Sequence, residues 1–331
     1  VAALAGGGEP LAVGQEHAAL VAGGERVEAG AEAAGGLPFQ EGGIEGRALV
    51  DLGLVLRHGE KKEVIPAIPN VAGLEYNLTT MLRRLTRTRT PVIAILQGHD
   101  EPKLEENYRR IQQLLNQLYE VRPLELGDKS SIEDGIDGVI VLGPKNPLKE
   151  NELKALDQFV MKGKSLAVIA SAVNVKASDA SMNASLNLWG LDKLLAGYGI
   201  EMHKDVVLDA GRAFRVSIMT QAGGLASQKF PQFLDVQDDA RFAGTDQQLL
   251  DTSFAAFFRM PSMVFPFASS VEIHKEKQPD VKDFRIIARS TPRSVHLTTD
   301  TADLQPFQKW GAIKGEWKQY GIAATGGGTF K

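Results

Sequence analysis

Three adjacent residues hold the chain's densest chemistry. His99-Asp100-Glu101 set an imidazole beside two carboxylates in one loop, a combination that supplies a general base or metal ligands. The same run also reads as structural or solvated, because His58, His203, His274 and His296 bring no second His/Asp/Glu cluster with ligand spacing along the chain. The loop directly follows an apolar run. In an open parallel sheet, ligands lie beyond the carboxyl ends of the strands, which nominates loops 97–102, 143–146 and 171–175. The candidate ligand or partner residues are therefore Gln97, Gly98, His99, Asp100, Glu101, Gly143, Pro144 and Asn146. Gly143-Pro144 offers backbone N–H groups to an anion, although a strand-to-helix turn needs such residues in any case.

Other chemistries close on residue type and order. The chain has no cysteine, which removes disulfides, thiolate zinc sites and cysteine nucleophiles together. Gly163-Lys164-Ser165 looks like the end of a phosphate-binding P-loop, but Gln158 stands where that motif needs glycine, and the run closes a helix instead of opening one. Gln97-Gly98-His99-Asp100 carries a single glycine, too few for a dinucleotide fingerprint. Ser171 follows a strand without a local histidine, and no Gly-x-Ser-x-Gly elbow occurs. Arg83, Arg84, Arg87 and Arg89 form the conspicuous basic cluster, read either as a favourable helix end or as a contact for an anionic partner or membrane surface. Asn77-Leu-Thr79 and Asn183-Ala-Ser185 match the glycosylation tripeptide, a pattern too frequent to decide anything.

The elements that position these loops follow from hydrophobic periodicity. Residues 92–96 are apolar and mostly β-branched between Pro91 and Gly98, which predicts a strand buried on both faces at the centre of the sheet. Leu104, Tyr108, Ile111, Leu115 and Leu118 form the stripe of a helix over 104–119. Further strands are predicted near 121–124, 138–142, 166–170 and 205–208, and helices near 149–162 and 186–198. Strands alternating with helices predict an α/β fold: a parallel, flavodoxin/amidotransferase-like sheet with helices on both faces, plus a smaller, mostly β accessory region. Glu150 and Glu152 in the first turn of helix 149–162 suit its dipole, and Gly163 suits its stop.

The domain reading is a low-complexity Ala/Gly-rich segment over 1–50, weakly packed through residue 46; a hairpin and helix over 51–90; an α/β core over 91–209; and an irregular region over 210–331 whose strands complete the sheet or form a small lobe. The chain has 331 residues, a hydrophobic content of 43% and a net charge of -4, ordinary globular values with no bulk attraction to nucleic acid. No apolar run has the length of a membrane helix. Starting at Val1 and stopping at Lys331, the chain reads as a segment of a longer or processed protein.

Several ordered segments together carry a resemblance: Glu63-Val-Ile-Pro66, Gly73-Leu-Glu-Tyr-Asn-Leu-Thr79, the run from Pro91 to His99, Tyr119-Glu-Val-Arg-Pro123, the run from Asp137 to Pro144, and the run from Glu152 to Met161. Over about residues 53–209 the chain resembles the auxiliary proteins of gliding-motility ABC transporters, the GldG-like proteins, with weaker echoes near residues 264–270 and 288–292. The resemblance implies a non-enzymatic scaffold or binding domain on the extracytoplasmic (periplasmic) face of the cytoplasmic membrane, tethered by helices outside this chain. Its implied partners are the permease and ATPase of an ABC transporter or other envelope proteins. It also implies a core like the class I glutamine amidotransferases and similar to part of an intraflagellar transport subunit. The amidotransferase cysteine is missing. No cofactor and no nucleic acid partner are expected, oligomeric state is left open, and the alternative is a hydrolase or transferase working near His99.

Overall fold

A computed structural model describes residues 2–5, 28–30, 54–58, 60–65, 74–175, 182–219, 223–258, 260–305 and 313–330. The first strands are β1 (Ala2–Ala5), β2 (Glu28–Gly30), β3 (Leu54–His58) and β4 (Lys61–Ile65), followed by helix α1 (Leu74–Thr86). Next come β5 (Val92–Gln97), α2 (Leu104–Asn107), α3 (Arg109–Leu115), β6 (Glu120–Glu125), β7 (Gly138–Leu142), α4 (Glu150–Met161) and β8 (Ser165–Ile169). The chain continues with β9 (Val173–Val175), β10 (Asn183–Leu186), α5 (Leu191–Gly197), β11 (Ile200–Met202), β12 (Val206–Asp209), β13 (Ala213–Met219) and β14 (Leu225–Gln237). It ends with β15 (Ser262–Pro266), β16 (Val271–Ile273), β17 (Arg285–Arg289), β18 (Ser294–Leu297), β19 (Thr301–Asp303) and β20 (Gly321–Gly327).

Contacts divide the chain into two units, the smaller made of Ala12–Pro91 with Gln113–Glu120. In it β3 and β4 form the predicted hairpin, with β2 added antiparallel to β3 and α1 packed on both hairpin strands. Two of the clustered arginines are used internally. Arg84 pairs with Glu63 at 2.9 Å, and Arg87 donates to the Leu118 carbonyl at 2.9 Å while lying 5.8 Å from the centre of the Tyr119 ring. Apart from residues 2–5 and 28–30, the segment 1–46 lies outside the described residues.

The larger unit is built on a seven-stranded sheet in the order β17-β20-β1-β8-β7-β5-β6. β5, β7 and β8 run parallel, as alternating strands and helices predict. The sheet as a whole is mixed, because β1 runs antiparallel to β8 and β17 antiparallel to β20. β5 therefore lies one strand in from the edge, not at the centre, although Ala94, Ile95 and Leu96 are all buried. β17 and β20 complete this sheet. β12 does not: it pairs antiparallel with β18, while β13, β14 and β15 form a separate antiparallel sheet.

Helix α4 holds the predicted limits and buries Ala155, Leu156, Phe159 and Val160 in the core beneath β7 and β8. The helix expected over 104–119 is instead broken at Tyr108. No residue of α3 is buried, and Ile111 and Leu114 are 50% and 56% exposed. The edge strand that follows it explains why: β6 carries Glu120, Arg122 and Glu125 with only Leu124 buried, so it presents no apolar surface for a helical stripe to cover. The helix expected over 186–198 starts late. Leu186 ends β10, the backbone reverses at Trp189 and Gly190 with φ of 56° and 91°, and α5 begins at Leu191. At the amino ends of the strands Asp137 accepts the Val92 N–H at 2.9 Å and pairs with Lys164 at 3.3 Å. Lys164, the lysine of the P-loop look-alike, thus ties strand starts together at the end of the sheet away from the nominated loops.

Candidate functional site

Counted from Val92, the first four strands of the larger unit lie in the order 2-1-3-4, so the chain turns one way from β5 to β6 and the other way from β5 to β7. Reversal of direction opens a crevice at the carboxyl ends of β5 and β7, where open α/β sheets place their ligands. The loops after these two strands are 97–102 and 143–146. They touch directly: the Lys145 N–H donates to the His99 carbonyl at 2.8 Å, and the Gly143 N–H donates to Ile169 at the end of β8 at 2.9 Å. Both amides are thereby spent on neighbouring loops, so the anion-binding use of Gly143-Pro144 is not realised.

His99 fills the crevice. The backbone bends sharply around it, with Gly98 at φ 116° and Asp100 at φ 60°, and this turns His99 and Glu101 inward while Asp100 faces solvent. Of the structural and solvated readings, the structural one holds for His99, 5% exposed, and Glu101, 7% exposed, and the solvated one for Asp100. Glu101 Oε2 accepts the His99 backbone N–H at 2.7 Å, and its Oε1 lies 3.2 Å from His99 Nδ1. The other ring nitrogen, Nε2, lies 2.9 Å from Oε2 of Glu152 in the first turn of α4. That same Oε2 accepts the Lys149 N–H at 2.7 Å, capping the helix. A ring facing a carboxylate at both nitrogens is fully matched when it donates from both, and neither nitrogen is left for a substrate. Of the remaining nominated residues, Gln97 bonds the Leu96 carbonyl, Pro144 is buried, and Gly98 and Asn146 are exposed. The residue that sequence reasoning missed is Glu152. Its only signal was an acid in the first turn of a helix, which the dipole already explains.

A second polar network lies elsewhere in the larger unit. Asp205 is completely buried and accepts the Ser270 N–H at 2.7 Å and the Ser270 hydroxyl at 2.5 Å, while its Oδ2 lies 2.8 Å from His296 Nδ1. Ser269 donates to the Asp205 carbonyl and accepts the Ala172 N–H, tying in the third nominated loop. The types are those of a catalytic triad, but the carboxylate stands between hydroxyl and imidazole, so the imidazole cannot take the serine proton. Ser171 accepts the Val173 N–H at 3.3 Å.

A third group brings together two of the histidines that lie far apart along the chain. The antiparallel pairing of β11 with β16 sets Glu201 opposite Glu272, with His203 and His274 beside them. His274 Nε2 lies 2.7 Å from Glu201, and this bond holds the Glu201 carboxyl below the usual carboxylate range. The like charges that meet across the strands are thus offset by imidazoles. Among the described residues no group of three or more His, Asp or Glu side chains takes a metal-holding arrangement, and no helix is long and apolar enough to cross a membrane.

Comparisons with known proteins cover about three quarters of the chain. An uncharacterized protein of Borreliella burgdorferi is 23% identical over 242 residues, covering 72% of this chain and 45% of the relative, so the chain spans under half that protein's length. The solved mmIFT52 N-terminal domain aligns with a TM-score of 0.39 at 13% identity, over 72% of this chain and 87% of that domain, a likeness too low to argue from. A family model for the auxiliary proteins of ABC transporters, described as an ABC-type uncharacterized transport system, matches residues 90–331. That match takes in the seven-stranded sheet from β5 onward, the His99 crevice and the Asp205 network, and by it the chain belongs to the ABC-type transport system auxiliary family.

Proposed function

We propose that the chain is a non-enzymatic docking part of an ABC transport system of the gliding-motility type, working on the extracytoplasmic face of the membrane and binding the transporter's permease or another envelope protein. Family membership supports the transport role. The observation that carries the non-enzymatic reading is the enclosed histidine: at the end of β5, where an α/β enzyme would present a reactive group, His99 is held between Glu101 and Glu152. A histidine enclosed by two carboxylates suits a rigid support for its loop, and the loop tips at Gly98, Asp100 and Asn146 are exposed. The core keeps the amidotransferase-like strand alternation without that family's chemistry.

Because His99 is buried, the face is tested at its exposed residues. Asp100→Arg and Asn146→Arg are each introduced into the intact transport complex, and co-purification of permease and ATPase is measured along with hydrolysis of glutamine, esters and ATP by the isolated chain. Weakened co-purification with an unchanged melting temperature, and no turnover, is the expected result. Turnover that is lost in His99→Ala, with co-purification intact in both arginine variants, overturns the reading.

A further inference from the structure

A cavity of about 710 Å³ lies in the larger unit beside β8 and past the carboxyl end of β7, well within the size of a ligand pocket, about 300–1,000 Å³. One wall comes from the parallel strands and the loops after them, the other from the segment around Phe257 and from β15. The surface is chiefly apolar. Ile169 at the end of β8 and Val264 on β15 are 42% and 36% exposed, and both line this space together with Phe257 and Phe265. Strand residues of this kind stay wet only at a cost, so an occupant with an apolar body is favoured.

The rim specifies the other half of the occupant. Lys145 is the one charged side chain among the described lining residues, and its ammonium makes no ion pair there. The Tyr108 hydroxyl has no hydrogen bond among the described residues. Ser171 accepts the Val173 N–H and keeps its own proton to donate. The lining thus supplies one cation, from Lys145, and hydroxyl donors, from Tyr108 and Ser171, to an otherwise apolar space with no acidic group among the described lining residues.

We propose that this cavity binds a single-chain amphiphile with an anionic head, its chain between Ile169, Val264, Phe257 and Phe265 and its head on Lys145, Tyr108 and Ser171. The site goes beyond the transport-scaffold reading and stands without it.

The test uses the whole chain and isothermal titration with dodecanoate and dodecyl phosphate below their micelle concentrations and dodecanol below its solubility limit. Saturable binding of at least one anionic amphiphile is expected, with dodecanol weaker by about tenfold or more, the scale of one charge-assisted contact. The tighter of the two anions identifies a carboxylate or a phosphate head. Lys145→Met should bring the anion down to the level of dodecanol and leave dodecanol unchanged. Val264→Asp should abolish binding of all three, with Ile169→Asp as the second variant if Val264→Asp does not fold. Absence of saturable binding by either anion overturns the proposal, as does anion binding that neither Lys145→Met nor the aspartate variant alters.

Discussion

Replacing Glu152 by Ala tests the enclosure of His99 most directly. The carboxylate has two structural duties, and a single oxygen performs both: Oε2 accepts the Lys149 N–H at 2.7 Å and faces His99 Nε2 at 2.9 Å. Losing a helix cap costs about 1 kcal/mol. Leaving the buried His99 ring nitrogen without its partner costs about 1–3 kcal/mol. The two losses share one atom, so they are not summed, and about 3 kcal/mol is expected for a residue that is 3% exposed. For a unit of this size that lowers the melting temperature by roughly 6–12 °C. Glu150 is the internal control. It occupies the same first turn and the same helix dipole but is exposed, so Glu150→Ala should cost only about 0.3–1 kcal/mol. Glu152→Gln should fall between the two, since an amide that donates to the ring from its nitrogen cannot also use that atom to accept the Lys149 N–H. Thermal unfolding followed by circular dichroism measures all three. If Glu152→Ala melts within a degree or two of Glu150→Ala, the His99 crevice is not held as described and the argument built on it fails.

Ile95, 3% exposed in β5, should lose several kcal/mol on replacement by Asp through burial of an unpaired carboxylate, and a urea midpoint close to the parent's would contradict its placement in the sheet. Gly199 joins α5 to β11 at φ 73°, and a Cβ there would lie 2.7 Å from the His274 carbonyl; Gly199→Ala should therefore destabilise by more than the 1 kcal/mol or so of an ordinary left-handed residue, again read from the urea midpoint. Asp239 is held down to about 2, from the usual 3.8, first by hydrogen bonds from the Arg241 side chain and then by its backbone N–H and the nearby Arg212. A depressed carboxyl contributes stability above the unfolded-state value and loses it as pH falls toward the folded one, so the parent should shed stability between about pH 4 and 2 relative to Asp239→Asn. Parallel losses in parent and variant over that window would show that the pair does not contribute.

Local pattern and long-range pairing divide the protein between them. The two-sided apolar runs at 92–96 and 138–142 and the helical period of 149–162 were readable because each is set by burial within a dozen neighbouring residues, and β5, β7 and α4 follow them closely. The same reading put loops 97–102 and 143–146 at the strand ends, where they meet. It failed where periodicity was present but its cover was missing, as in α3, whose stripe has no apolar surface beside it at the charged edge strand β6. Three alanines and Leu4 in β1 carry no readable period, yet hydrogen bonding to β8 and β20 on its two sides makes a strand of them. The chemistry divides the same way. His99 with Glu101 was legible as a loop motif, but Glu152, 53 residues further on, became its partner only when α4 packed against the sheet. Asp205 and His296 are 91 residues apart, and the β12–β18 pairing alone joins them. Local sequence determines which residues prefer strand, helix or turn, because those preferences depend on backbone sterics and on the burial of one face. Which side chains meet, and whether a histidine is wet or enclosed, depends on register and packing between distant segments, and those exist only in the folded chain.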